Sequence, residues 1–281
     1  MGNYSQALEY LQKAHSIETE SLPPNHPNLA GSYGNIGLVH REMGNYSQAL
    51  EYHEKAVSIQ TQSLPPNHPH LALSYGNISV VHREMSNYSQ ALEYHEKAVS
   101  IQTQSLPPNH SNLALSYAKI GVVHREIGNY SQALEYHEKA LSIQTASLLP
   151  NHPSLAASYT NIGVGHRQMG NYSQALEYHE KALSIRTESL PPNHPSLAAS
   201  YTNIGVGHRQ TGNFSQARYY YRKGLEIWAA ILPLVDSRIV WIWEKLGYLY
   251  MKQGKHGRVL AFCPATSIPM EKWRCHGRRS E

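Results

Sequence analysis

The segment GNYSQALEYHEKA returns along this chain every 42 residues. Copies start at Gly2, Gly44, Ser86, Gly128, Gly170 and Gly212, and the register runs on to Gly254 after the lettering has decayed. A fixed period of about 20 to 50 residues means one supersecondary unit stacked on copies of itself, each too small to bury its own apolar face alone. A single globular core is thereby excluded for most of the 281 residues. Residues 153–168 and 195–210 are letter-for-letter identical. A surface copied so faithfully suits binding better than position-specific chemistry.

Residues 153–190 show how one unit is built. Leu155, Tyr159, Ile162, His166 and Met169 follow at steps of four and three, a single helical stripe. Pro153 suits the first turn of that helix, where its missing N–H costs nothing, and Gly170 can end the helix with a positive φ. Asn171 with Gln174 three places on spells an Asn-x-x-Gln capping box for a second helix. The apolar stripe of that helix runs Tyr172, Ala175, Leu176, His179, Ala182, Leu183. The run Leu190-Pro191-Pro192-Asn193-His194-Pro195 stops it and starts the next pair. Each unit is therefore expected to be a helical hairpin, with Gly163, Ala175 and Ala182 marking where two backbones come close.

Charge adds a limit on partners. Seven of the 24 Lys and Arg lie in residues 252–281 against Glu271 and Glu281, so the first 251 residues hold 17 basic and 18 acidic side chains. A nucleic-acid reader would need a basic stripe along the repeats, and the balance argues against one. Cys263 and Cys275 are the two cysteines, both beyond the repeats, so no disulfide framework is expected. The start of the chain lacks the apolar core of a secretory signal. The stretch Leu225 to Val235 is interrupted by Glu226 and Pro233 and is too short to span a bilayer. A cytoplasmic protein without membrane or nucleic-acid partners is the expectation.

The small residues at the helix crossing, with Asn161-Ile162-Gly163, Gly170-Asn171-Tyr172 and Ala175…Ala182, resemble the tetratricopeptide repeat. The 42-residue period and the Asn-His-Pro linker are similar to the longer repeats of kinesin light chains and nephrocystin-type arrays. The resemblance covers about residues 3–256 and implies an all-α, right-handed superhelical solenoid of antiparallel hairpins. It also exposes a departure: two interhelical positions that are aromatic in the family hold His here. The first set is His40, His82, His124, His166 and His208, and the second is His53, His95, His137 and His179. They are expected to pack in place of the aromatic ring, each with one hydrogen bond. The chain opens at a Met equivalent to Met43, Met85 and Met169, so residues 1–28 are expected to form the second helix of a truncated repeat plus a linker. Residues 29–235 then hold five complete repeats, 236–263 a partial sixth with Trp243, Leu246, Gly247 and Tyr250 in register, and 264–281 a basic irregular tail.

In tetratricopeptide arrays the first helix of each hairpin lines a groove, so the resemblance places a peptide track on one face of these helices. Helical spacing puts Asn35, Asn77, Lys119, Asn161 and Asn203 there, followed one turn on by Leu38, Val80, Val122, Val164 and Val206. Arg41, Arg83, Arg125, Arg167 and Arg209 come next, beside Glu42, Glu84, Glu126, Gln168 and Gln210. An Asn amide can pair with both N–H and C=O of an extended backbone, the Leu/Val row can take an apolar side chain, and Arg favours a carboxylate bidentately. Kinesin light chains resemble this in using groove Asn and basic residues on short acidic peptides. The competing arrangement is a ladder of Arg and Glu neutralising itself within each helix.

No phosphate-binding loop, nucleophile elbow or zincin motif occurs in the sequence. Each hairpin offers two His, as in His166 and His179, where zinc wants three or four ligands. The tail set His256, Cys263, Cys275 and His276 lacks paired Cys-x-x-Cys spacing. No metal, no cofactor and no catalysis are expected. The favoured function is a protein-interaction scaffold that binds a partner's peptide segment, an acidic one by the resemblance. Two alternatives stand beside it. One is the recognition arm of a larger nucleotide-dependent or ADP-ribosyl-transferring enzyme. The other is self-association through exposed solenoid ends.

Overall fold

The computed structural model describes residues 3–252. Among them are twelve α-helices and no strand. They fall into two compact units, residues 1–169 and 170–281. The first unit holds α1 (Tyr4–Ser21), α2 (Pro27–Glu42), α3 (Tyr46–Ser63), α4 (Pro69–Glu84), α5 (Tyr88–Ser105), α6 (Ser111–Ile127), α7 (Tyr130–Ser147) and α8 (Pro153–Gln168). The second holds α9 (Tyr172–Ser189), α10 (Pro195–Gln210), α11 (Phe214–Ile231) and α12 (Ser237–Lys252). Of the residues assigned to the sixth repeat, α12 is described; its second helix and the tail set His256, Cys263, Cys275 and His276 lie outside the described residues.

The linker sets where each first helix begins. Leu64 is extended (φ −121°, ψ 153°), as a residue before proline must be, and ends α3 ahead of Pro65. His68 then caps α4: its Nδ1 accepts the backbone N–H of His70 at 3.2 Å, with Pro69 in the first turn. His26, His110, His152 and His194 do the same for α2, α6, α8 and α10. At α12 the equivalent residue is Asp236, whose Oδ1 accepts the N–H of Arg238 at 2.9 Å. The linker histidines are helix caps.

The other turn departs from expectation. Gly44, Gly128, Gly170 and Gly212 do end their helices at positive φ, and Ser86 holds the same conformation at φ 62° without a glycine's freedom. The capping box does not form at α3, α5, α7 or α9, where Asn45, Asn87, Asn129 and Asn171 make no side-chain cap hydrogen bond. Asn171 sits at φ −82°, ψ 64°, and the N–H of Tyr172 donates to the carbonyl of Gly170 at 3.0 Å. That is an inverse γ-turn, and it turns the Asn away from the extended geometry a capping box uses. Met169 is exposed too, because it lies at the helix end beyond the last turn that packs.

In the first unit each second helix packs against the first helix of its own hairpin and also against the next one. Ile36, Ile78 and Ile120 meet the alanine row Ala49, Ala91 and Ala133, all fully buried; each such isoleucine is worth about 1.5–3 kcal/mol of burial. Glycine sets the approach. A methyl group on Gly37 would come within 2.8 Å of the His53 ring, and one on Gly121 equally close to His137. Ser79 replaces that glycine in α4, and its hydroxyl donates to the carbonyl of Ala91 at 2.7 Å, fully buried. The second unit is more aromatic: Tyr221, Trp228, Ile239, Ile242, Leu246 and Leu249 form one cluster, with Tyr221 seated against Gly205 where other repeats seat His.

Candidate peptide-binding face

The first helices of the first unit bury one face and leave the other open. On α4, Leu71, Ala72, Ile78, Val81 and His82 are buried while Asn77, Val80 and Arg83 are half-buried. On α6, Lys119, Val122 and Arg125 stand half-buried in the same way, and on α8 Asn161, Val164 and Arg167. On α2, Asn35 is exposed and Leu38 and Arg41 are half-buried. In the second unit Asn203 and Arg209 are half-buried, but Val206 is packed into the aromatic cluster and leaves the row expected of it.

Two apolar residues that spacing alone could have found complete this face. Leu73 and Leu115 are 64% and 53% exposed, one turn before Asn77 and Lys119. The sequence carries Gly31, Ala157 and Ala199 at the matching places, so the exposed leucines are confined to α4 and α6. The signal was present in the same period that named the other rows.

The charges are arranged less simply than a row of free arginines. Arg41 pairs with Glu42 and reaches Glu84 at 4.0 Å; Arg83 lies 3.7 Å from Glu84 and 3.3 Å from Glu126. The ladder thus runs from helix to helix as well as within one. It ends where Gln168 stands in place of a glutamate, and Arg125 has no ion pair among the described residues. Lys119 replaces the row's asparagine. Burial and the nearby Arg41 and Arg83 push its ammonium below the usual lysine range, which makes it a cation short of negative charge.

Behind this face lie the histidines. His40 stacks on Tyr52 with ring centroids 5.3 Å apart, His82 on Tyr94 at 5.5 Å, and His124 on Tyr136 at 5.4 Å. They take the aromatic's place by packing. The expected single hydrogen bond is missing at His53 and His137, whose ring nitrogens are all buried without a partner. Burial, with help from Arg41, lowers His53 to about 4; burial, Lys119 and Arg83 lower His95 to about 3; burial and Arg125 lower His137 to about 4. Neutral imidazoles in such a setting are packing groups. Among the described residues no cluster of three or more His, Cys, Asp or Glu could hold a metal ion. No described helix is long and apolar enough to cross a membrane.

Comparison with known proteins fits this architecture. No curated protein sequence matches the chain. Among solved structures, nearly identical TPR-like repeats of a candidate kinesin light chain from Podosopora anserina superpose with a TM-score of 0.65 at 24% identity, covering 73% of this chain and 97% of that one. BtubC (BKLC) from P. vanneervenii gives a TM-score of 0.68 at 18% identity over 81% of this chain and 89% of the other. A signal transduction ATPase with numerous domains and a tetratricopeptide repeat sensor, from Pyrococcus horikoshii, gives 0.76 at 18% identity, covering 98% of this chain but 39% of its own. These likenesses establish a shared fold. The tetratricopeptide repeat model matches residues 1–62, 30–104, 70–146, 112–188 and 154–230. Those overlapping matches follow the 42-residue hairpins helix by helix, and the chain belongs to the tetratricopeptide repeat family.

Proposed function

We propose that this chain is a non-catalytic adaptor of the cytoplasm that binds an extended, acidic and partly apolar peptide segment of a partner protein. The contact face is the open side of α4 and α6. The observation that carries this reading is the pairing of exposed Leu73 and Leu115 with Lys119, a half-buried cation flanked by Arg41 and Arg83. A carboxylate there would relieve repulsion among the cations while the leucines take an apolar side chain. Asn77 and Asn161 can hold the peptide backbone, Val80, Val122 and Val164 floor the track, and Arg125 and Arg167 extend its basic side. Asn35 lies at one margin of the same unit; Asn203 and Arg209 belong to the second unit and are the weaker members of the set.

The test uses a library of capped nonapeptides, each with one Leu or aromatic residue between Asp or Glu residues, read by calorimetry. Lys119→Asn, Arg125→Ala and Leu115→Asp are expected to weaken the best binder by about 1–3 kcal/mol each, with affinity falling as salt rises. Glu54→Gln and Glu138→Gln, on exposed faces of the second helices, are expected to change nothing. Equal losses from both sets, or none from the first, would remove this face as the site.

A second reading has one observation in its favour. The chain matches the repeat part of a much longer ATPase from Pyrococcus horikoshii whose repeats are described as a sensor. On that reading the same face recognises the signal for a nucleotide-dependent domain carried elsewhere. A peptide that binds the face fits both readings, and stimulation of a co-purifying ATPase by that peptide would favour the second.

A further inference from the structure

We propose that α1 pairs antiparallel with α1 of a second copy of this chain, making a weak two-fold dimer. The repeats themselves say that the face in question is one that gets covered. In α3, α5 and α7 the positions Ala49/Ala56, Ala91/Ala98 and Ala133/Ala140 are fully buried by the preceding first helix. Their counterparts in α1, Ala7 and Ala14, are exposed. Tyr10, whose equivalents Tyr52, Tyr94 and Tyr136 each stack on a histidine, is 63% exposed, and Ile17 is 67% exposed. The result is one apolar helix face of Tyr4, Ala7, Tyr10, Leu11, Ala14 and Ile17.

The sequence of α1 departs from the other copies at the centre of that face. Where α3, α5, α7 and α9 hold His53, His95, His137 and His179, α1 holds Leu11. An uncovered position would ordinarily favour the more polar residue; here it carries the more apolar one. The residues also complement themselves. Tyr4, Ala7, Leu11 and Ala14 follow at steps of three and four, the spacing of a two-helix seam. With the two-fold axis at the height of residue 9, Ala7 faces Leu11 of the second copy, Leu11 faces its Ala7, and Tyr4 faces its Ala14. Every layer then sets a large side chain against a small one, the arrangement that lets helices interdigitate, while Tyr10 and Ile17 flank the seam. The pairing is isologous and closes on itself. The exposed Glu9–Lys13 ion pair (2.6 Å) can stay as it is.

One helix pair buries an area at the low end of specific interfaces, so the expected dissociation constant is on the order of tens of micromolar. Sedimentation velocity on the full chain from about 1 to about 200 µM reads it directly: a monomer at the dilute end and a dimer at the concentrated end. Ala7→Lys and Ala14→Lys are expected to raise the dissociation constant at least about tenfold. Leu11→His, which restores the residue of the other copies, is expected to weaken it less. Leu149→Lys, an exposed leucine outside the seam, is expected to leave the dimer intact. Far-UV circular dichroism shows whether each variant keeps its helices. A monomer throughout the range, or a dimer as tight in Ala7→Lys as in the parent, overturns the proposal. Peptide binding by α4 and α6 is measured separately and does not depend on the outcome.

Discussion

At the scale of single residues the histidines decide the most. His53, His95 and His137 sit where an aromatic ring would pack, and burial holds them neutral, at about 4, 3 and 4. In the unfolded chain each returns to about 6.5. Below that value the unfolded state binds protons that the folded state refuses, so stability is full above about pH 6.5 and is lost as the pH falls toward 4. The slope approaches about 1.4 kcal/mol per histidine per pH unit inside that window. Urea midpoints taken between pH 7.5 and 5 should therefore fall steeply, and a flat series would mean that the rings are accessible to protons when folded. His137→Phe should remove part of the slope and raise stability at pH 7 by about 1 kcal/mol, since two buried nitrogens lose their unmet demand for partners. The space is suited to a six-membered ring, because Tyr221 occupies the equivalent place against Gly205.

At the scale of the element, the repeated hairpin is a set of solved turn problems. The Asn-His-Pro linker was recognisable as a stop, and the structure adds that the imidazole accepts the first-turn N–H, a role for which Asp236 substitutes at α12. The glycine turn was legible as well, while the γ-turn at the following Asn was not, because a capping box and an inverse γ-turn share the same letters. Ser86 is the place where this turn carries strain. Its φ of 62° is held by glycine in four of the other copies. Ser86→Gly should stabilise the α4–α5 hairpin by about 0.5–1 kcal/mol, the left-handed penalty less the added freedom of the unfolded chain. Thermal melts of the variant and parent test it, and an unchanged or lower melting temperature would show the serine to be unstrained.

At the scale of the molecule, stability is a sum over neighbours and not one cooperative core. Within the first unit α4 to α7 are flanked on both sides by helices, whereas α1 packs on α2 alone among the described helices. Local opening follows the number of such neighbours. Hydrogen exchange at submicromolar concentration, where the proposed dimer is dissociated, should find α1 exchanging fastest in residues 3–169 and α4 to α7 slowest. Uniform protection along the unit would mean that the repeats unfold as one block.

The period alone determined the hairpin, the helix count per unit and the family, because each 42-residue copy repeats the same stripe, stop and turn. It also placed Asn77, Val80, Lys119, Val122, Asn161 and Val164 on one face by helical geometry. The choice among those residues needed the tertiary structure, because it depends on neighbours that lie about 42 residues away. Arg83 is engaged because Glu126 reaches it from the next helix, and Arg125 is not because Gln168 follows. Val206 is drawn into an aromatic cluster that the earlier repeats lack. Local spacing fixes where a side chain points. What meets it there, and with which charge, is set by the helix that packs beside it.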